Sequence, residues 1–279
     1  MIMRWLTSWL RQSLRACGLD VHRIQPVGAS GRDRASLTEM LHQISRTGLF
    51  PNTVVDVGAA YGSFTRECVA VFPGARYLLI EPLVEYQSSL AELAQRLPSS
   101  HYICAAAASQ PGKTAINVHP DLVGSSLLRE VEAGTDVNGV PRSVPLVTID
   151  RLVKELVAEG PFVLKVDVQG AELEVLRGAE TMLRETEYVI LEVSFFQFFE
   201  GGPEFFDIIT YMKGIGFVVY DIMGLQYRPL DCALSQADLA FVKESGPFRR
   251  THFYATPSQR TEQNRRIQAQ LNHWLARRR

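Results

Sequence analysis

Short apolar runs alternate with segments of helical periodicity along most of this chain. The apolar runs predict strands near residues 53–57, 76–80, 101–105, 162–167, 188–193, 217–222 and 238–243. Helical spacing predicts helices near 62–71, 83–96, 150–158, 171–184 and 204–214, with another over 37–48 leading into the first strand. Strand–helix alternation of this kind predicts an α/β fold, a doubly wound parallel sheet with helices on both faces. The interval 109–147 breaks the rhythm. It is long and rich in Gly, Ser and Pro, and is predicted to cover a pocket. Both ends carry amphipathic segments. Trp5, Leu6, Trp9, Leu10 and Leu14 share a helical face between Arg4, Arg11 and Arg15, which reads as a membrane-surface helix or as a helix packed on the domain or a partner subunit. Residues 26–36 have linker composition. In the tail, Ile267, Leu271, Trp274 and Leu275 share a face before Arg277, Arg278 and Arg279. That tail reads as a solvated basic face, with phospholipid or another polyanion as its sharper alternative. The expected division is therefore 1–36 (helix and linker), 37–247 (domain) and 248–279 (basic helical tail). No internal repeat is visible.

Composition narrows the class without naming a function. At 279 residues, 46% hydrophobic and 21% charged, the chain suits one large globular domain with short additions. A net charge of −1 argues against a nucleic-acid binder. Cys17, Cys68, Cys104 and Cys232 are scattered without metal-like spacing, and Cys68 and Cys104 lie in apolar contexts that suit reduced core thiols and a cytoplasmic protein. No apolar stretch approaches the ~20 residues that span a bilayer. Arg4 and Arg11 interrupt the first apolar run in a way a signal peptide would not.

Candidate chemistry gathers at predicted strand ends. The run Val54-Val55-Asp56-Val57 ends in Gly58, and Gly62 follows four positions later, before a helix. A dinucleotide turn wants G-x-G-x-x-G, yet its middle glycine is here Ala60. The next strand ends in Glu81, 23 residues after Gly58, where a carboxylate can accept from two ribose hydroxyls. These two features fit a nicotinamide dinucleotide as well as S-adenosylmethionine. Further on, Lys165 and Asp167 interrupt a strand at its carboxyl end and Gly170 opens a helix, so Asp167 and Gln169 are expected to face the ligand crevice. Glu192 ends the following strand. Asp167 and Glu192 together suggest a catalytic base or a divalent-cation site, while Glu192 alternatively pairs with Lys165. His119, in the irregular interval, is a further candidate base.

Together these segments resemble the FkbM family of methyltransferases. The likeness is carried by Leu164-Lys165-Val166-Asp167-Val168-Gln169-Gly170-Ala171-Glu172 and its continuation to Ala179. It is echoed by Val55–Gly62, Ile80-Glu81-Pro82, Ser125-Ser126-Leu127, Val147-Thr148-Ile149-Asp150 and Ala237–Val242, and spans roughly residues 38–245. Gln169 stands where many members have Glu. The resemblance implies a Rossmann-like class I methyltransferase fold with a seven-stranded, mostly parallel sheet, and S-adenosylmethionine as cofactor. It implies an O-methyltransferase acting on a hydroxyl of a small molecule, sugar or glycan. It places the cofactor against Asp56, Gly58, Ala60, Tyr61, Gly62 and Glu81, with adenine contacts from Cys104, Ala105 and Ala106. Ser125 and Ser126 would close over the methionine end, or else cap a helix. A nicotinamide-dependent oxidoreductase and a non-catalytic cofactor-binding scaffold are the rival readings. Expected partners are the hydroxyl acceptor and a second copy of the chain, with no nucleic acid and at most peripheral membrane contact through the terminal helices.

Overall fold

The computed structural model describes residues 36–132 and 134–276. The amphipathic segment over 1–19 and nearly all of the 26–36 linker lie outside them. The first described helix, α1 (Leu37–Arg46), starts at Ser36, whose hydroxyl accepts the Glu39 N–H. Then follow β1 (Thr53–Val57), α2 (Ser63–Val71), β2 (Arg76–Ile80), α3 (Gln87–Gln95) and β3 (His101–Ile103). The middle of the chain holds β4 (Ala106–Ala107), β5 (Gly112–Val118), α4 (Thr135–Asn138), β6 (Val140–Val147) and α5 (Ile149–Glu155). The last part contains β7 (Phe162–Val166), α6 (Glu172–Arg177), α7 (Glu180–Leu183), β8 (Thr186–Ser194), α8 (Phe205–Gly214), β9 (Phe217–Tyr227), β10 (Leu234–Lys243) and α9 (Pro257–Ala276).

Seven strands form one sheet in the order β3-β2-β1-β7-β8-β10-β9. Only β10 runs against its neighbours, pairing antiparallel with both β8 and β9. The order reverses at β1, beside β7, and that reversal opens a crevice beyond the strand ends. β1 and β7 are buried along their whole length, as central parallel strands covered on both faces must be. Residue alternation divides the core in two. Val55, Val57, Leu164, Val166, Leu191 and Leu239 face one apolar cluster, whereas Val54, Val163, Ile190 and Ala240 face the other, with α1 and α2. The period of two also sends Asp56, Lys165, Glu192 and Asp238 to the second face, in a charged row near the strand ends.

Three expectations need correction. The interval 109–147 is not irregular throughout, because β5 and β6 form an antiparallel pair and β4 joins parallel to β6. This small sheet covers one side of the crevice. The helix expected over 171–184 is two helices. A Cβ on Gly178 would lie 2.1 Å from the Ala108 carbonyl oxygen, and the Asp150 carboxylate accepts the Thr181 and Met182 N–H groups at 2.9 and 2.8 Å, starting a new helix there. Finally, β9 runs on to Tyr227 and β10 begins at Leu234, so both outlast their apolar runs.

Candidate active site

The crevice is a cavity at the carboxyl ends of β1, β2 and β7. Gly58, Ala60, Glu81, Ala105, Ala106, Ser125 and Asp167 all line it. One wall is apolar and built from small or branched side chains, with Ala105, Ala106, Ala107, Ile80, Leu83 and Ile116. The other end carries Asp167, Val168 and Gln169. Among the described residues that line the cavity there are two carboxylates, Glu81 and Asp167, and no Lys, Arg or His.

Glu81 is set at the strand end by backbone amides. Its Oε2 accepts the Ala60 N–H at 3.0 Å and its Oε1 accepts the Leu83 N–H at 2.9 Å. Each oxygen keeps a lone pair for another donor. Burial pushes its pKa up to about 7, against the pull of those two amides. Ala60 reaches Glu81 through a left-handed backbone, φ 46°, and Gln169 on the facing loop has φ 55°. Non-glycine residues in this region are strained, and here both lie on loops bordering the cavity.

Asp167 sits in a fixed hydrogen-bonded array. Lys165 Nζ donates to its Oδ2 at 2.8 Å and Gln169 Nε2 to its Oδ1 at 3.0 Å. Lys165 therefore pairs with Asp167, not with Glu192. Burial alone pulls the Lys165 ammonium down, but Asp167, Asp56 and Asp238 outweigh it and raise its pKa above the ordinary value. Glu192 lies behind Gln169 and does not line the cavity. Its carboxylate accepts from Gln169 at 2.6 Å, Gln236 at 2.9 Å and Gln226 at 3.0 Å. Burial and then the charges of Asp167 and Asp238 raise its pKa. The Gln169 amide nitrogen thus bridges the two carboxylates that the sequence suggested as a cation pair. Among the described residues, no group of three or more His, Cys, Asp or Glu is arranged to hold a metal ion.

Other expected residues lie outside the cavity, and Gly58 and Ser125, which line it, are also tied to their own neighbours. Asp56 is buried under the turn, where its Oδ2 accepts the Thr65 hydroxyl at 2.7 Å and burial raises its pKa. Its Oδ1 has no hydrogen-bond partner. Gly58 is needed for its neighbour strand: φ is 75°, and a Cβ would sit 1.8 Å from the Asp167 carbonyl oxygen. Gly62, at φ 81°, opens α2 against Leu90 and Leu93 and does not line the cavity. Tyr61 is exposed at the rim, its ring 6.3 Å from that of Tyr86, which does line the cavity. Cys104 turns its Sγ to the Pro82 carbonyl at 3.8 Å. His119 is drawn off to Asp121, Nδ1 to Oδ1 2.7 Å, and borders a separate shallow cavity with Pro120, Gly139 and Arg142. Ser125 and Ser126 cap no helix. Ser125 Oγ accepts the His119 N–H, and Ser126 Oγ donates to the Gln169 carbonyl at 2.6 Å, pinning the covering loop to the crevice.

Sequence reasoning passed over Leu83 and Tyr86, which follow the Glu81-Pro82 stop, and over Ile116, Leu122 and Val123 in the interval expected to cover the pocket. Gln226 and Gln236 carried no signal, since a lone Gln in a strand is ordinary.

The chain is similar to known proteins. A family model described as the methyltransferase FkbM domain matches residues 56–219. No curated protein matches the chain. Among solved structures, an FkbM methyltransferase from Methylobacillus flagellatus is 17% identical with a TM-score of 0.43. That match covers 72% of this chain and 50% of the other, so the chain spans half the length of that protein. The 1,6-didemethyltoxoflavin-N1-methyltransferase of Burkholderia thailandensis, with bound S-adenosylhomocysteine, is 13% identical over 87% of each chain, TM-score 0.41. The magnesium protoporphyrin IX methyltransferase of Synechocystis, with bound S-adenosylmethionine, is 12% identical over 85% of this chain and 96% of its own, TM-score 0.42.

Proposed function

The chain belongs to the FkbM methyltransferase family, and from that premise we propose that it is an S-adenosylmethionine-dependent O-methyltransferase acting on a hydroxyl of a small molecule, sugar or glycan. The observation that carries this reading is the charge of the cavity: Glu81 and Asp167 border it with no cationic side chain. Such a lining favours a cationic ligand with hydroxyl donors. The nicotinamide alternative is disfavoured by Ala60, which stands where a dinucleotide turn has its middle glycine.

The residues present fit the cofactor. Glu81 offers two carboxylate oxygens, each with one backbone donor, to the paired ribose hydroxyls. Ala105, Ala106 and Ile116 leave a flat apolar wall for adenine. The turn at Gly58 and Ala60, with Ser125 opposite, borders the remainder. S-adenosylmethionine, when bound, supplies a methyl group on a cationic sulfonium. A hydroxyl acceptor must lose its proton to become a competent nucleophile. Asp167 is the cavity carboxylate in position to take that proton, and Lys165 and Gln169 hold its two oxygens in one orientation. Glu192 acts behind it as a positioning residue, through Gln169.

Incubation with labelled donor and a panel of hydroxylated, amine and thiol acceptors tests the reading. Label in an ether product is expected, and exclusive transfer to amines would refute the O-methyl assignment. Adenosylhomocysteine, not NADH, should raise the melting temperature. Asp167→Asn keeps shape and removes charge, so cofactor affinity should stay within a few-fold while turnover falls roughly 10²–10⁴-fold. Turnover near that of the parent would remove Asp167 from the chemistry.

A further inference from the structure

The net charge of −1 conceals a strong division along the chain. Residues 36–247 hold 15 Lys and Arg against 27 Asp and Glu, whereas residues 248–279 hold eight Arg and a single acid, Glu262. Residues 1–35 are also basic, with six Arg and two Asp. An acidic body therefore carries basic ends. Three of those eight Arg lie on α9, a 20-residue helix with no buried residue, two precede it as Arg249 and Arg250, and Arg277, Arg278 and Arg279 follow it in sequence outside the described residues. On one side of its second half Ile267, Leu271, Trp274 and Leu275 are 45–54% exposed, and Phe253 and Tyr254 stand exposed just before the helix. Arg260, Arg265 and Arg266 belong to the same helix, with Glu262 ion-paired to the latter two at 2.8 and 2.7 Å.

We propose that α9 docks this enzyme on an anionic bilayer surface. A helix that combines an aliphatic cluster and Trp with an excess of Arg fits the headgroup boundary, where the apolar side chains enter the acyl edge and the guanidinium groups stay with lipid phosphates. The acidic body is repelled by the same surface, so attachment runs through the basic ends and orients the molecule. Charge separates this occupant from its rivals. A nucleic acid would satisfy the arginines but leave Ile267, Leu271 and Leu275 in water, and the acidic body would oppose it along its length. Glu262 already answers part of the charge of Arg265 and Arg266, so the aliphatic cluster and the remaining arginines must act together.

Flotation of the full chain with phosphatidylcholine vesicles, with and without phosphatidylserine, tests the proposal. Binding is expected only with phosphatidylserine, and raised salt should weaken it because exposed charges are screened over about 8 Å at physiological ionic strength. The combined R260Q, R265Q and R266Q variant should lose roughly tenfold or more in vesicle affinity. L271S with W274S should also weaken binding at unchanged charge. Since no α9 residue is buried, both variants should keep the parent melting temperature and methyl-transfer rate in solution. Equal binding to neutral vesicles, or none to either, would overturn the proposal. So would a lipid-free dimer that the arginine substitutions dissociate, or an RNA that binds more tightly and displaces the vesicles.

Discussion

The family resemblance sets Gly58 against the cofactor, and the structure assigns its small size to a different neighbour. With φ 75° and the Asp167 carbonyl oxygen 1.8 Å from where a Cβ would be, a side chain there would force β1 and β7 apart before any ligand entered. Gly58→Ala should therefore destabilise the fold by more than about 2 kcal/mol, combining left-handed backbone strain with overpacking. Urea unfolding measures this. A variant of parent stability that merely fails to bind cofactor would restore the cofactor-contact account. Glu81 makes the complementary case. Its carboxyl titrates near 7, held up by burial, so a cationic donor should bind more tightly as pH rises through that value. Glu81→Gln should flatten the pH dependence and cost roughly 1–3 kcal/mol of affinity. Titration calorimetry with S-adenosylmethionine from pH 6 to about 8 separates the outcomes, and an unchanged profile in the variant would assign the titration elsewhere.

Among the elements, the segment that most resembles the family signature is also where the simple helix prediction fails. Apolar spacing continues through 171–184, yet the helix stops at Gly178, whose carbonyl accepts the Asp150 N–H at 2.9 Å and whose missing side chain leaves room for the Ala108 carbonyl. Asp150, distant in sequence, then supplies the cap for α7. The Val147-Thr148-Ile149-Asp150 motif is therefore structural in this chain: Thr148 caps α5 while Asp150 caps α7. Asp150→Ala should lower stability by about 1 kcal/mol with cofactor affinity preserved, the ordinary worth of an N-cap. Thermal unfolding with and without adenosylhomocysteine checks both parts. A loss of affinity at unchanged stability would make Asp150 a functional residue.

For the molecule as a whole, the buried carboxylates decide how stability follows pH. Glu81 and Glu172 both have folded pKa values of about 7, and Asp238 about 6, each raised first of all by burial. Raised folded values mean the native state binds more protons than the unfolded chain between those pKa values. Their contribution is therefore fully present below about pH 4 and is lost as pH rises through 6 to 7. The protein without ligand should have a lower urea midpoint at pH 8 than at pH 5.5, and Glu172→Gln should reduce that difference. A midpoint that rises over this range would mean these carboxyls are ionised in the native state. Exposed acids such as Glu85 and Asp121 have lowered values and act only at more acidic pH.

The alternating pattern was enough to predict the doubly wound sheet, because buried parallel strands and amphipathic helices each write their own period into the residues. It also placed Glu81 and Asp167 at the carboxyl ends of strands, where both border the crevice, although Glu192 shares that pattern and lies behind Gln169. The reversed order around β1, the antiparallel β10 and the small covering sheet depend on pairings between distant segments, which no local period records. The same holds within the site. Three glutamines from separate segments meet at Glu192, and Asp121 turns His119 away from the cavity. Local sequence determined which residues carry charge into the strand ends. Tertiary contacts decided which of those charges face a ligand and which hold one another, because that choice rests on distances between elements.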